Sequence, residues 1–105
     1  MQTPAELLEL IRVKQVRVDK LRQRAGQVDE NKVGLLKQHK QAQDRLLELL
    51  DGQGYLTDIQ HANTAHRALD DQIAACEEEM KDLVSEHNAL KVEVAELQRQ
   101  LLSQL

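Results

Sequence analysis

The sequence predicts an all-α protein, a long two-helix antiparallel coiled-coil hairpin that oligomerises into a helical bundle. Three observations carry the expectation. The composition is that of long helices: Phe and Trp are absent, Tyr55 is the sole aromatic, proline occurs once, and 30 % of residues are charged. A globular core relies on large aromatic side chains for buried area, so burial here has to come from a seam between helices. Next, apolar residues recur every three and four positions in two separate heptad frames, one in each half of the chain. Finally, the frames slip within "LLELLDGQGYLTDIQ", residues 46–60, where two glycines, an aspartate and the tyrosine interrupt the helix formers.

The first arm is expected as a helix over 4–51. Thr3 stands as N-cap, Pro4 at the first helical position, and Glu6 three residues after the cap, a capping-box arrangement. Its d positions are Leu7, Lys14, Leu21, Val28, Leu35, Ala42 and Leu49, and its a positions are Ile11, Val18, Ala25, Lys32, His39 and Leu46. All but Lys14, Lys32 and His39 are apolar. Gly26 and Gly34 lie inside this helix, each costing about 1 kcal/mol relative to alanine.

The apex is expected over 52–57. Gly52 follows Asp51 and suits the left-handed position that ends a helix. Thr57 with Gln60 three residues on reads as the next cap, preceded by Leu56. No phosphate-binding loop is implied, because neither a preceding strand nor G-x-x-x-x-G-K-[ST] is present.

The second arm is expected as a helix over 58–104. Its a positions are Ile59, His66, Ile73, Met80, His87, Val94 and Leu101, and its d positions are Ala62, Leu69, Cys76, Leu83, Leu90, Leu97 and Gln104. Only His66, His87 and Gln104 break the apolar pattern. Each arm spans about 70 Å at about 1.5 Å per residue.

Folding the chain at the break layers a against d: Leu49 with Ile59, Leu35 with Ile73, Val28 with Met80, Ile11 with Leu97, Leu7 with Leu101. Charge agrees with that orientation. Residues 1–50 carry ten Lys/Arg against seven Asp/Glu, and residues 51–105 carry four against eleven. The antiparallel pairing sets Arg17 near Glu86 and Glu93, and Arg24 near Glu79 and Glu86, whereas a parallel dimer sets Arg17 near a partner's Arg22. A continuous rod-like dimer acting as a spacer is the alternative.

The same features bound the function. A lone cysteine offers no internal disulfide framework and fits a reducing, cytoplasmic setting. No apolar stretch approaches a membrane span, and "MQTPAELLEL" lacks the basic start and apolar run of a signal peptide. The serines, Ser85 and Ser103, have no base and orienter in plausible arrangement, so no catalytic residue is assigned and the protein is expected not to be an enzyme. No cofactor, metal or small-molecule substrate is expected. His39 and His66 fall in adjacent layers, but without a nearby cysteine or acidic seam residue they make a poor zinc site. They read instead as register-setting polar residues, with acid-induced loosening of the coil as the rival reading. Cys76 reads as a small core residue.

The expected interaction sites are the open end and the apex. Near the termini, aliphatic residues point in nearly every direction, more than a two-helix seam covers. Leu8, Leu10, Val13, Val16, Val92, Leu102 and Leu105 are therefore expected to stay wet and mark a surface for protein partners or for further copies of the chain. Tyr55, on the projecting apex, is the second anchor candidate.

Two resemblances qualify this picture. "LVSEHNALKVEVAELQRQL" resembles a leucine zipper of the basic-zipper class, with His87 where that family has an a-position Asn. The residues before it, "ALDDQIAACEEEMKD", are acidic, so the likeness implies oligomerisation without nucleic-acid reading. The opening "LLELIRVKQVRVDKLRQRAG", followed by a long polar helix and a second arm, looks like the small stalk proteins of flagellar and type III secretion export, the FliJ/YscO-like group. That resemblance implies an antiparallel helical hairpin associated with an export ATPase ring and with chaperones.

Overall fold

A computed structural model describes residues 2–105, apart from the side chain of Gln53. It consists of α1, Pro4–Glu48, a π-type turn, Leu49–Gln53, and α2, Leu56–Gln104. No strand occurs among the described residues. The chain is a helical hairpin, not a continuous rod. It divides into two compact units, Met1–Gln27 with Met80–Leu105, and Val28–Glu79. In each, a stretch of α1 runs antiparallel to a stretch of α2.

The two ends of α1 form as their residues dictate. At the start, the Thr3 hydroxyl accepts the Glu6 backbone N–H at 3.2 Å and donates to the Glu6 carboxylate, while Leu7 N–H reaches the Thr3 carbonyl at 3.0 Å. The first orphan donors of the helix are thereby satisfied. At the far end, Asp51 leaves helical geometry (φ −76°, ψ 17°) and Gly52 swings to φ 90°, ψ 9°. A side chain at that φ is strained, so glycine is favoured there. A left-handed residue after a helix closes the last turn with a wider hydrogen-bonded ring, which accounts for the π-type turn over Leu49–Gln53. Gly54 is extended and packs against Leu49, whose Cβ lies 3.2 Å from where an alanine Cβ would stand.

The second arm starts two residues before the expected position 58. Its first helical bond runs from Ile59 N–H to the Tyr55 carbonyl at 3.1 Å, so Tyr55 is the cap residue instead of Thr57. The reason is Asp58. Three residues into the helix, its carboxylate reaches back to the Tyr55 N–H at 3.4 Å, the returning half of a capping box, and places negative charge at the helix N-terminus. The first arm also differs: α1 ends at Glu48, and the expected final turn to 51 belongs to the π-type turn.

The core is the aliphatic seam. In the first unit it comprises the buried Leu7, Ile11, Val18, Leu21 and Val94, and in the second Val28, Leu35, Leu49 and Cys76. Each of these occupies an a or d position. Every a and d residue of the first arm is buried or half-buried, and so is every one of the second arm except Gln104. No polar or charged residue is fully buried among the described residues. The polar seam residues reach outward instead. Lys14 pairs with Glu93 at 2.7 Å, Lys32 with Glu77 at 3.4 Å, and His39 with Asp70 at 2.7 Å. A long stem lying along apolar surface with its head at the rim avoids the cost of a buried, unpaired charge. Because each pair crosses from one helix to the other, each also fixes the register. Arg17 adds a two-pronged contact with Glu86, at 3.0 and 3.2 Å.

Candidate functional site

Three places on the hairpin carry exposed or unpaired chemistry. The first is the end of the first unit where both termini lie, tied by a bond from the Gln104 side-chain amide to the Gln2 carbonyl at 3.2 Å. A helix buries chiefly its a/d stripe against its partner, so aliphatics well away from that stripe face water. Val13 is 59 % exposed, Val92 70 % and Leu102 72 %, and Val16 and Leu105 are open too. Leu8 is less so, at 39 %. Leu10 departs from expectation: it is half-buried. It flanks the seam on the side of Arg17, where the opposite helix partly covers it. There it lines a groove of about 580 Å³ with Lys14, Val92, Glu93, Leu97 and Gln100. The Lys14–Glu93 ion pair forms part of the groove's wall, so the groove combines apolar surface with a paired charge.

The apex is the second place. Tyr55 is 84 % exposed and does not pack over the helix ends. Leu47, Leu50 and Leu56 are exposed beside it in sequence. The sequence reading singled out Tyr55 and passed over these leucines, although Leu47 and Leu50 stand off the first arm's a/d stripe. Val33 and Leu36, in the same unit, are exposed for the same reason. Exposed aliphatics are thus not confined to the terminal end.

The third place lies within Val28–Glu79. His39 Nε2 and Asp70 Oδ1 are 2.7 Å apart, His66 Nδ1 and Asp70 Oδ2 are 3.6 Å apart, and the two imidazole centroids are separated by 4.3 Å at 40°. His66 Nε2 is buried with no hydrogen-bond partner among the described residues. The expectation counted only acidic residues within the seam; Asp70 stands beside the seam and still reaches both rings. Asp70 sits one helical turn after His66, and residues four apart on a helix share a face. His39 comes to the same point from the opposite helix. The spacing His66-x-x-x-Asp70 was the available signal; it was passed over because position 70 flanks the seam instead of lying in it.

His87 sits differently. Its Nε2 accepts from Arg22 Nε at 3.3 Å, and its Nδ1 is 3.3 Å from the Asn88 side-chain oxygen. Cys76 is buried and free, with its sulfur 3.5 Å from the Asn31 amide. Among the described residues no helix is long and apolar enough to cross a membrane. Comparison with protein-family models, with curated proteins and with solved structures found no match.

Proposed function

We infer that this chain is a non-enzymatic coiled-coil interaction protein of the cytoplasm, a scaffold that self-associates or docks in a larger assembly through its terminal end. The observation that carries the reading is the exposure of Val13, Val16, Val92, Leu102 and Leu105 around a seam whose own residues are already paired. Apolar surface left outside a completed seam favours a further helix, and a second hairpin supplies two, giving a bundle. Its partners are proteins, including copies of itself; it reads no nucleic acid and takes no small-molecule substrate. The apex, with Tyr55, is the secondary contact. The test is sedimentation equilibrium of the wild type against Val13→Ser/Val92→Ser/Leu102→Ser. A wild type that associates and a triple variant that stays helical but monomeric support the terminal end. Equal association of the two removes that end from the reading, and a monomeric wild type removes self-association.

A second reading is an accessory stalk of a flagellar or type III secretion export ATPase. The antiparallel hairpin supports it, being the architecture that the resemblance of the N-terminal arm implies. Stimulation of such an ATPase by the purified hairpin separates this role from a passive scaffold.

A further inference from the structure

We propose that His39, His66 and Asp70 form a binding site for a divalent cation of the zinc class, bridging α1 to α2. Two imidazoles and one carboxylate each offer a ligand atom, and the three atoms lie within 4.8 Å of one another. In a tetrahedral zinc site, with bonds of about 2.0–2.2 Å, ligand atoms stand about 3.3 Å apart. His39 Nε2 stands 2.7 Å from Asp70 Oδ1 and His66 Nδ1 3.6 Å from Asp70 Oδ2, so each ring already lies about one such spacing from the carboxylate. Small rotations of the rings and the carboxylate are enough to gather the three around one ion.

The surroundings favour this use. All three residues stand on the interiors of long helices, a more rigid support than a loop. The two histidines are half-buried, and Asp70 is open to water. A cation therefore has an entry path and a hydrated fourth position. His66 Nε2, buried and without a hydrogen-bond partner among the described residues, is an independent sign of an incomplete polar site, because a buried polar atom left unpaired is costly. A cation taken by His66 Nε2, in place of the Nδ1 approach to Asp70, supplies the missing partner. Donor chemistry selects the ion. Two neutral nitrogens and one oxygen suit Zn²⁺, Co²⁺, Ni²⁺ or Cu²⁺, whereas Mg²⁺ and Ca²⁺ take oxygen ligands in higher number. Protons compete for the same imidazole nitrogens, so binding weakens on acidification. The site is independent of the terminal docking end.

The test begins with chelator-treated protein in a Cys76→Ala background, which removes the thiol as a rival ligand. Zn²⁺ is titrated by calorimetry, Co²⁺ by its visible absorption, and Mg²⁺ serves as the control. One Zn²⁺ per chain is expected, with tetrahedral Co²⁺ bands and no Mg²⁺ response. At a free Zn²⁺ concentration about a hundredfold above Kd, the unfolding equilibrium constant should fall about a hundredfold. Affinity should drop at least tenfold in Asp70→Asn, a near-isosteric change at an exposed residue that leaves the hairpin folded, and in His39→Ala and His66→Ala. His61→Ala, outside the cluster, should bind as the parent does. No Zn²⁺ binding, binding unchanged in Asp70→Asn and His66→Ala, or one ion per two chains would each overturn the proposal.

Discussion

Alanine replacing glycine should change stability in opposite directions at two positions of this chain, and the contrast follows from backbone geometry alone. Gly26 lies in the interior of α1 with nothing within 4 Å of an added Cβ. Alanine there gains about 1 kcal/mol, the difference in helix propensity. Gly52 likewise has nothing within 4 Å, but its φ is 90°. A Cβ in left-handed geometry costs about 1–2 kcal/mol, offset in part by about 0.4–1 kcal/mol from the stiffer unfolded chain. The net is a loss of about 1 kcal/mol. Gly26→Ala and Gly52→Ala should therefore differ by about 2 kcal/mol, more than a factor of ten in the folding constant. Urea denaturation followed by circular dichroism measures both, with equal slopes expected because neither variant changes the surface exposed on unfolding. If helix ran on through residue 52, both variants would be stabilised alike. Gly52→Ala as stable as Gly26→Ala would thus refute the turn.

Other substitutions probe the seam and its rim. Leu21→Ala, at a core residue only 3 % exposed, should cost about 2–5 kcal/mol in thermal or urea unfolding, against about 0.5 kcal/mol or less for Leu8→Ala. Gly54→Ala should destabilise the apex by pressing on the buried Leu49, and Leu49→Ala in the same chain should relieve part of that loss. Arg17→Glu should cost less than about 1 kcal/mol, because the pair with Glu86 is half-exposed on both sides. Adding Glu86→Arg should restore it, with the effect shrinking as salt is raised.

What the sequence made legible was the part governed by strong, repeated signals. The a/d stripes of both arms marked the seam because a period of about 3.5 residues leaves little choice of buried face. Asp51–Gly52 marked the turn, since glycine takes its φ without strain, and Thr3-Pro4-x-Glu6 marked the start of α1. Arg17 opposite Glu86 followed from heptad position once the chain was folded at the break. Less was legible where local signals compete or side chains reach across. Thr57 with Gln60 and Asp58 with the Tyr55 N–H are both plausible caps two residues apart, and the acidic reach-back prevailed. The a/d stripe alone leaves Leu10 wet, whereas flanking positions are partly covered by the opposite helix. Asp70 was missed for the same reason. Its role depends on where a flanking carboxylate extends, which heptad lettering does not encode. The leucines around Tyr55 were eclipsed by the aromatic, although each is off the stripe.

The fold-back itself is tested most directly by an intramolecular distance. Spin labels at Gln15→Cys and Gln98→Cys, in a Cys76→Ala chain diluted into excess unlabelled protein, report on two residues that line one groove of the first unit. The hairpin predicts a distance below about 25 Å, since packed helix axes lie about 8–10 Å apart and the labels add their own reach. A continuous helix between the two sites would hold them beyond about 100 Å at about 1.5 Å per residue. A short distance that survives dilution is the predicted result; no resolvable short distance would contradict the hairpin and, with it, the shared terminal end.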